Sequence, residues 1–336
     1  MYKQKYFKYK SKYLKLKYKQ HGGNLTLEHY YQKLVQLYNT YEEPLAQPDS
    51  IDLDYNDIFS GPFLSDKIKI DTNKLIKTKY DNLIFVSEKK HPNLIKYALI
   101  MSKFLNKQEQ FIVIYLDSPE KKVLPKSNEI INRDNVNSGY STSEFTVVFR
   151  KEEAPKVLIH ELLHQFQVDC GYNCYKKSHE FNYYEDPTNK RHLLYNESLV
   201  ETIATILNCM LVSIQLNSNY LDCIKREQEF ILGQAKQIIE YLNITNIFED
   251  KIIASASILE YYLMKAATLN NLDDFISFLQ LTCKNDNLFI FNRKNDQKLY
   301  NKLISYVKDP NFINLLDKTP KNDGGSMRMT CVELSK

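Results

Sequence analysis

Glycine is scarce in this chain, with 8 among 336 residues. Collagen-like and glycine-linker architectures are excluded by that count. Neither GxxxxGK[ST] nor GxGxxG occurs, so nucleotide chemistry built on a glycine-rich phosphate cradle has no support. The six cysteines (170, 174, 209, 223, 283 and 331) are too few and too dispersed for a disulfide scaffold, and a reduced interior is the expectation. Long apolar runs are also missing. The best is Thr202 to Leu216, TIATILNCMLVSIQL, which includes Asn208 and Gln215. It falls short of the roughly 20 apolar residues of a membrane span and reads as a buried helix, so no transmembrane segment is expected. No apolar stretch follows the first charges, which argues against a secretory signal peptide.

What is present is an uneven distribution of charge. The 45 Lys and Arg against 41 Asp and Glu give a formal charge of +4. Residues 1–20, MYKQKYFKYKSKYLKLKYKQ, hold eight lysines and no acid, leaving 37 bases against 41 acids beyond them. A slightly acidic body therefore carries a basic tail. Tyr2, Tyr6, Tyr9 and Tyr13 recur at close to helical spacing among those lysines, a pattern suited to nucleic acid or an anionic surface. Gly22 and Gly23 break any helix there.

A hydrophobic content of 43 % and an aromatic content of 12 % fit a packed globular chain of one large domain or two smaller ones. Residues 24–46 read as helical and 47–80 as Asp-rich and irregular. Strand-like runs follow at 82–87 (NLIFVS), 111–116 (FIVIYL) and 145–150 (FTVVFR), with helical spacing from His91 to Leu105. Beyond Pro155 the chain reads almost wholly helical. The organisation is thus a tail over 1–23, a mixed α/β part over 24–170 and a mainly helical part over 171–336.

The string that carries chemistry is His160-Glu161-Leu162-Leu163-His164. Glu152 and Glu153 suit the positive end of a helix dipole and Pro155 suits the first turn. Apolar residues at 158, 159, 162, 163 and 166 make a helix buried on most of its circumference. His160 and His164, four residues apart, project from one face and can share a single ion. Glu161 lies about 100° around the helix, where it can reach a metal-bound water without ligating the metal. Two ligands and a base of this kind are what a zinc hydrolase requires.

Together with Asn196-Glu197-Ser198-Leu199-Val200-Glu201, this string resembles the gluzincin metallopeptidases, the thermolysin-like branch of the zincins. The resemblance implies a zincin-like α+β fold, a small mixed sheet with the active-site helix followed by a mainly helical C-terminal half. It implies Zn²⁺ held by His160, His164 and Glu197, with Glu201 orienting a ligand histidine from behind, where the family more often has Asp. It also implies hydrolysis of a peptide or protein substrate, with Glu161 as general base. The run 138–150, SGYSTSEFTVVFR, resembles the family's edge strand, which pairs with extended substrate. Gln167 and Cys170 stand where the metzincin continuation needs Gly and His. Asp169, His179, Glu180 and His192 are competing third ligands. The oxyanion donor is open among Tyr183, Tyr184, Tyr195, Tyr261, Tyr262 and His192, and Cys170 with Cys174 reads as packed or free thiols.

The tail is similar to Lys/Tyr-rich N-terminal segments of giant nucleocytoplasmic DNA virus proteins that end in Gly-Gly. That resemblance implies an enzyme of the virion, or of the host cytoplasm and virus factory, with Gly22-Gly23 as a processing site. A catalytically idle zincin scaffold serving as a virion or host-interaction protein is the alternative. Oligomeric state has no signature in the sequence.

Overall fold

The computed structural model describes residues 27–60, 64–65, 67–169, 176–177, 180–282, 295–322 and 324–333. The basic tail with Gly22 and Gly23, and likewise Cys170, Cys174, His179 and Cys283, lies outside them. The described residues form a mixed α+β fold, a six-stranded sheet followed by a helical C-terminal half.

The β-branched and aromatic runs build the sheet. Its strands are β1 (Gln47–Pro48), β2 (Ile76–Tyr80), β3 (Leu83–Ser87), β4 (Phe111–Ser118), β5 (Gly139–Ser141) and β6 (Phe145–Arg150), in the order β1-β2-β3-β4-β6-β5. The pairs β3/β4 and β4/β6 are parallel; β1/β2, β2/β3 and β5/β6 are antiparallel. Successive side chains point to opposite faces. Ile84, Val86, Ile114, Val147 and Phe149 meet Ile58 and Ile68 on one face. Phe85, Val113, Tyr115 and Val148 face the principal core on the other, which runs from Tyr30 through to Val332 and so continues across residue 170.

The run 138–150 is a hairpin rather than one edge strand. Phe145–Arg150 is interior, between β4 and β5, and the edge is the short β5. The turn over Thr142 folds the chain back, its hydroxyl accepting from the Glu144 and Phe145 N–H groups at 3.1 and 3.2 Å. The region expected to be irregular contains β2, whose Lys-Thr-Lys centre hides it from an apolar pattern. The half expected to be almost wholly helical also contains short strands at Asn182–Tyr184, His192–Leu193 and Lys251–Ile253.

Two buried helices position the site. The histidine helix, Ala154–Gln165, leaves β6 and packs against β5, β6, the helix Pro92–Phe104 and the glutamate helix, Tyr195–Leu216. The glutamate helix is long and apolar enough by length and composition to cross a membrane, and 83 % of its most apolar window is buried inside the protein.

Candidate metal centre

His160 and His164 stand one above the other on the histidine helix, with their Nε2 atoms 3.1 Å apart. Each Nε2 is 3.4 Å from Oε2 of Glu197, in the first turn of the glutamate helix. These three side chains form a group able to hold a metal ion. The fit is geometric as well as chemical: ligand atoms at about 2.0–2.1 Å around one tetrahedral ion are roughly 3.3 Å apart. Two imidazoles and one carboxylate, leaving a position open, make a donor set that borderline divalent metals accept.

Each imidazole is gripped from behind at Nδ1. His164 Nδ1 is 2.9 Å from Asp169 Oδ2, which also accepts a hydrogen bond from Asn196 Nδ2 at 2.9 Å. His160 Nδ1 is 2.9 Å from Glu201 Oε2. Such partners fix ring orientation and leave Nε2 for the ion. Asp169, a competing ligand by sequence, is therefore a support for His164. The route to it is local: Gln167 adopts φ 55°, its N–H and that of Val168 cap the His164 and Leu163 carbonyls, and the reversed chain returns Asp169 beneath the ring.

Burial opposes charge at His160, His164 and Glu197, and there the ion pairs override it. Desolvation would lower both histidines, but Glu197 and Glu201 raise His160, while Glu197 and Asp169 hold His164 well above its ordinary value. Burial likewise would raise Glu197, yet the two imidazoles hold it far below the usual carboxylate range. An arriving cation therefore meets an ionised carboxylate and displaces imidazole protons.

Glu161 faces the same cleft as the triad and accepts from Ser141 Oγ at 3.0 Å. Burial pushes its carboxyl up, against the pull of the neighbouring histidines. Gly139 makes this approach feasible, since a Cβ there would lie 2.9 Å from Glu161 Cγ and 2.8 Å from the Val147 carbonyl oxygen. The cleft, of about 260 Å³, is lined on one side by β5 and on another by Ser255 to Ser257 and Tyr261.

Tyr261 is the one member of the open list of oxyanion donors that lines this cleft among the described residues. Its hydroxyl donates to Glu197 Oε2 at 3.0 Å and its ring meets His160 edge-on, 6.0 Å between centroids. A π-helical turn, Leu259–Met264, places it there. Burial and then Glu197 hold its phenol well above the ordinary value, so it is a donor. The others are engaged elsewhere: Tyr262 donates to the Met327 carbonyl at 2.5 Å, Tyr183 to that of Ala256, and Tyr195 to Asp296. Tyr184 lies under Lys251, Glu180 accepts from Tyr300, and His192 is exposed on its short strand.

Comparison with protein-family models, with curated proteins and with solved structures finds no match for this chain.

Proposed function

We propose that this chain is a zinc-dependent peptidase of gluzincin type. The observation supporting it most directly is the convergence of both Nε2 atoms and Glu197 Oε2, within 3.4 Å, on the cleft that Glu161 also faces. Zinc held by His160, His164 and Glu197 would supply Lewis acidity, lowering the pKa of a coordinated water towards roughly 7 and polarising the scissile carbonyl.

The remaining work belongs to the chain's own side chains. Glu161 takes up the proton of the attacking water on a carboxylate oxygen and passes it to the departing amine. Ser141 keeps that carboxylate oriented. Tyr261, released from Glu197, donates its phenol proton in a hydrogen bond to the developing oxyanion. The outer edge of β5, the last strand of the sheet, offers main-chain donors and acceptors to an extended peptide whatever its side chains.

Glu161→Gln tests the assignment. It retains zinc by plasma emission measurement and loses hydrolysis of an unfolded protein substrate by about 100-fold or more; full activity in that variant refutes the reading. Zinc bound by the unaltered chain without turnover of any peptide library would make it the idle scaffold instead. The tail's resemblance extends the proposal to a giant-virus protein acting in the virion or host cytoplasm, with residues 1–20 meeting nucleic acid or an anionic surface. Intact Met1 termini throughout purified virions would remove processing after Gly23.

A further inference from the structure

The charged side chains lining the cleft fall into two sets. Glu197 and Asp169 are paired with the histidines, and Glu161 with Ser141. Among the described residues the other charged groups on the lining, Arg133 and Arg191, are both guanidinium groups. Once the carboxylates are committed to the metal centre and its water, Arg191 leaves a positive charge on the cleft wall.

Arg191 is built into the cleft wall rather than waving over it. Its backbone N–H donates to the Tyr183 carbonyl at 2.9 Å, fixing it six residues before Glu197. The side chain is 11 % exposed, and the guanidinium stands over the Tyr183 ring, 5.5 Å from its centroid. A guanidinium so enclosed is ordinarily matched by a carboxylate. Here the match is poor: Nη1 is 3.8 Å from Glu185 Oε1, on a side chain 51 % exposed. Nη2 donates to Ser257 Oγ at 3.2 Å, and Nε is buried with no hydrogen-bond partner. Tyr183 and Glu260 lie close enough to raise the Arg191 pKa against its burial, but Glu260 gives Oε1 to the Leu194 N–H at 2.8 Å and its unpartnered Oε2 makes no ion pair with the guanidinium. Nη1, which makes no hydrogen bond, and Nη2 form the terminal fork that fits both oxygens of a carboxylate.

We infer that Arg191 is the receptor for a substrate carboxylate, so that this cleft selects peptides bearing an acidic side chain or a free C-terminal carboxylate beside the bond to be cut. The peptide nature of the substrate rests on the peptidase reading; the carboxylate receptor does not. A neutral amide in place of the carboxylate offers that fork a single oxygen, and discrimination of the isosteric pair follows.

The test uses the zinc-loaded full chain and two isosteric peptide pairs. Glu against Gln, in peptides with blocked termini, reports the side-chain source; free acid against amide, in otherwise neutral peptides, reports the C-terminal source. The expected result is a preference of about 10-fold or more in kcat/KM for the acid in one pair. In Arg191→Met that ratio falls towards one, and Arg191→Lys, which keeps the charge without the fork, restores part of it. Anisotropy titration of the same peptides onto the Glu161→Gln protein separates the two readings. Acid-selective binding without hydrolysis by the unaltered enzyme keeps the receptor and removes the peptidase. Hydrolysis at equal rates within both pairs by the unaltered enzyme overturns the receptor and keeps the peptidase. Should Arg191→Met fail to fold, those unaltered-enzyme ratios alone decide.

Discussion

Lys265 Nζ lies 2.9 Å from Glu201 Oε1, and both side chains are sealed from solvent. Lys156, from the first turn of the histidine helix, grips the same carboxylate with its ammonium. One glutamate thus pairs with two buried lysines while its other oxygen faces His160 Nδ1 at 2.9 Å. Burial would raise Glu201, but Lys156 and Lys265 hold it well below the ordinary range, so it stays ionised behind the imidazole. The lysines make the longer glutamate workable here, since three-way pairing removes the cost of a lone buried charge. Lys265→Met therefore weakens zinc binding by about 10-fold, and Glu201→Gln, which strands both lysines, by up to about 100-fold. Chelator-competition titration of zinc measures both. Unaltered affinity in Glu201→Gln would mean that His160 needs no support from behind.

Gly139 gives a second, sharper test of the geometry. A methyl group there meets the Val147 carbonyl oxygen at 2.8 Å, Glu161 Cγ at 2.9 Å and Val157 Cγ1 at 2.9 Å. The Val147 contact is to backbone and cannot swing aside, so either β5 separates from β6 or Glu161 is displaced. Overpacking of this kind costs about 1–3 kcal/mol. Gly139→Ala is expected to lose hydrolysis out of proportion to its stability while zinc affinity changes little, because neither histidine is touched. Zinc loading and turnover measured on one preparation check it; a parallel loss of both would place the damage in the fold instead.

The histidine helix and the strands at Leu83–Ser87, Phe111–Ser118 and Phe145–Arg150 were legible because each is an apolar run with one period. His160, Glu161 and His164 came with the spacing of a single helix, and Glu197 came only with the resemblance. What was hidden depends on chain reversal or long separation. Asp169 reaches His164 because Gln167 takes a left-handed conformation that no composition rule demands. Lys265 and Tyr261 both arrive 64 residues from their glutamate partners, one side chain buried for charge and the other for contact with the ligand. Asn196 was visible within the Asn-Glu pair, but its bond to Asp169 was not. Identity was legible in these cases; partnership was not.

Glu260 predicts a pH signature. Burial raises its carboxyl to about 7, with Arg191 only partly offsetting that, and Oε2 has no hydrogen-bond partner. Between its ordinary value near 4.3 and about 7 the folded state holds a proton that the unfolded state has released. The contribution to stability is thus fully present at low pH and is lost as pH rises through 7, on the order of 3 kcal/mol. Glu260→Gln mimics the protonated form and keeps the acceptor for Leu194. Urea melts of both proteins at pH 5, 7 and 8.5 should show the variant gaining on the parent as pH rises. Parallel profiles would mean that Glu260 is ionised in the fold without penalty.

The C-terminal segment locks this network, and its removal should be felt at the metal. Glu227, buried in the helix Tyr220–Tyr241, accepts the Cys331 and Val332 N–H groups at 2.9 and 2.7 Å, and the Thr330 hydroxyl on the same oxygen. Glu153, just before the histidine helix, accepts the Met329 and Thr330 N–H groups at 2.6 and 2.5 Å and pairs with buried Lys122 at 2.7 Å. Between these two carboxylates the strap presents the Met329 carbonyl to Lys265, the lysine that holds Glu201. Glu227→Ala removes one anchor and leaves the strap's amides without partners, at about 1–3 kcal/mol for a buried group left unsatisfied. Truncation after Gly325 removes the strap altogether, leaving Glu153, Glu227 and Lys265 each short of a partner. The expected order of zinc affinity is parent, then Glu227→Ala, then the truncated chain, with urea midpoints falling in the same order. If the truncated chain binds zinc as the parent does, the strap stabilises the fold alone and Lys265 keeps its place without it.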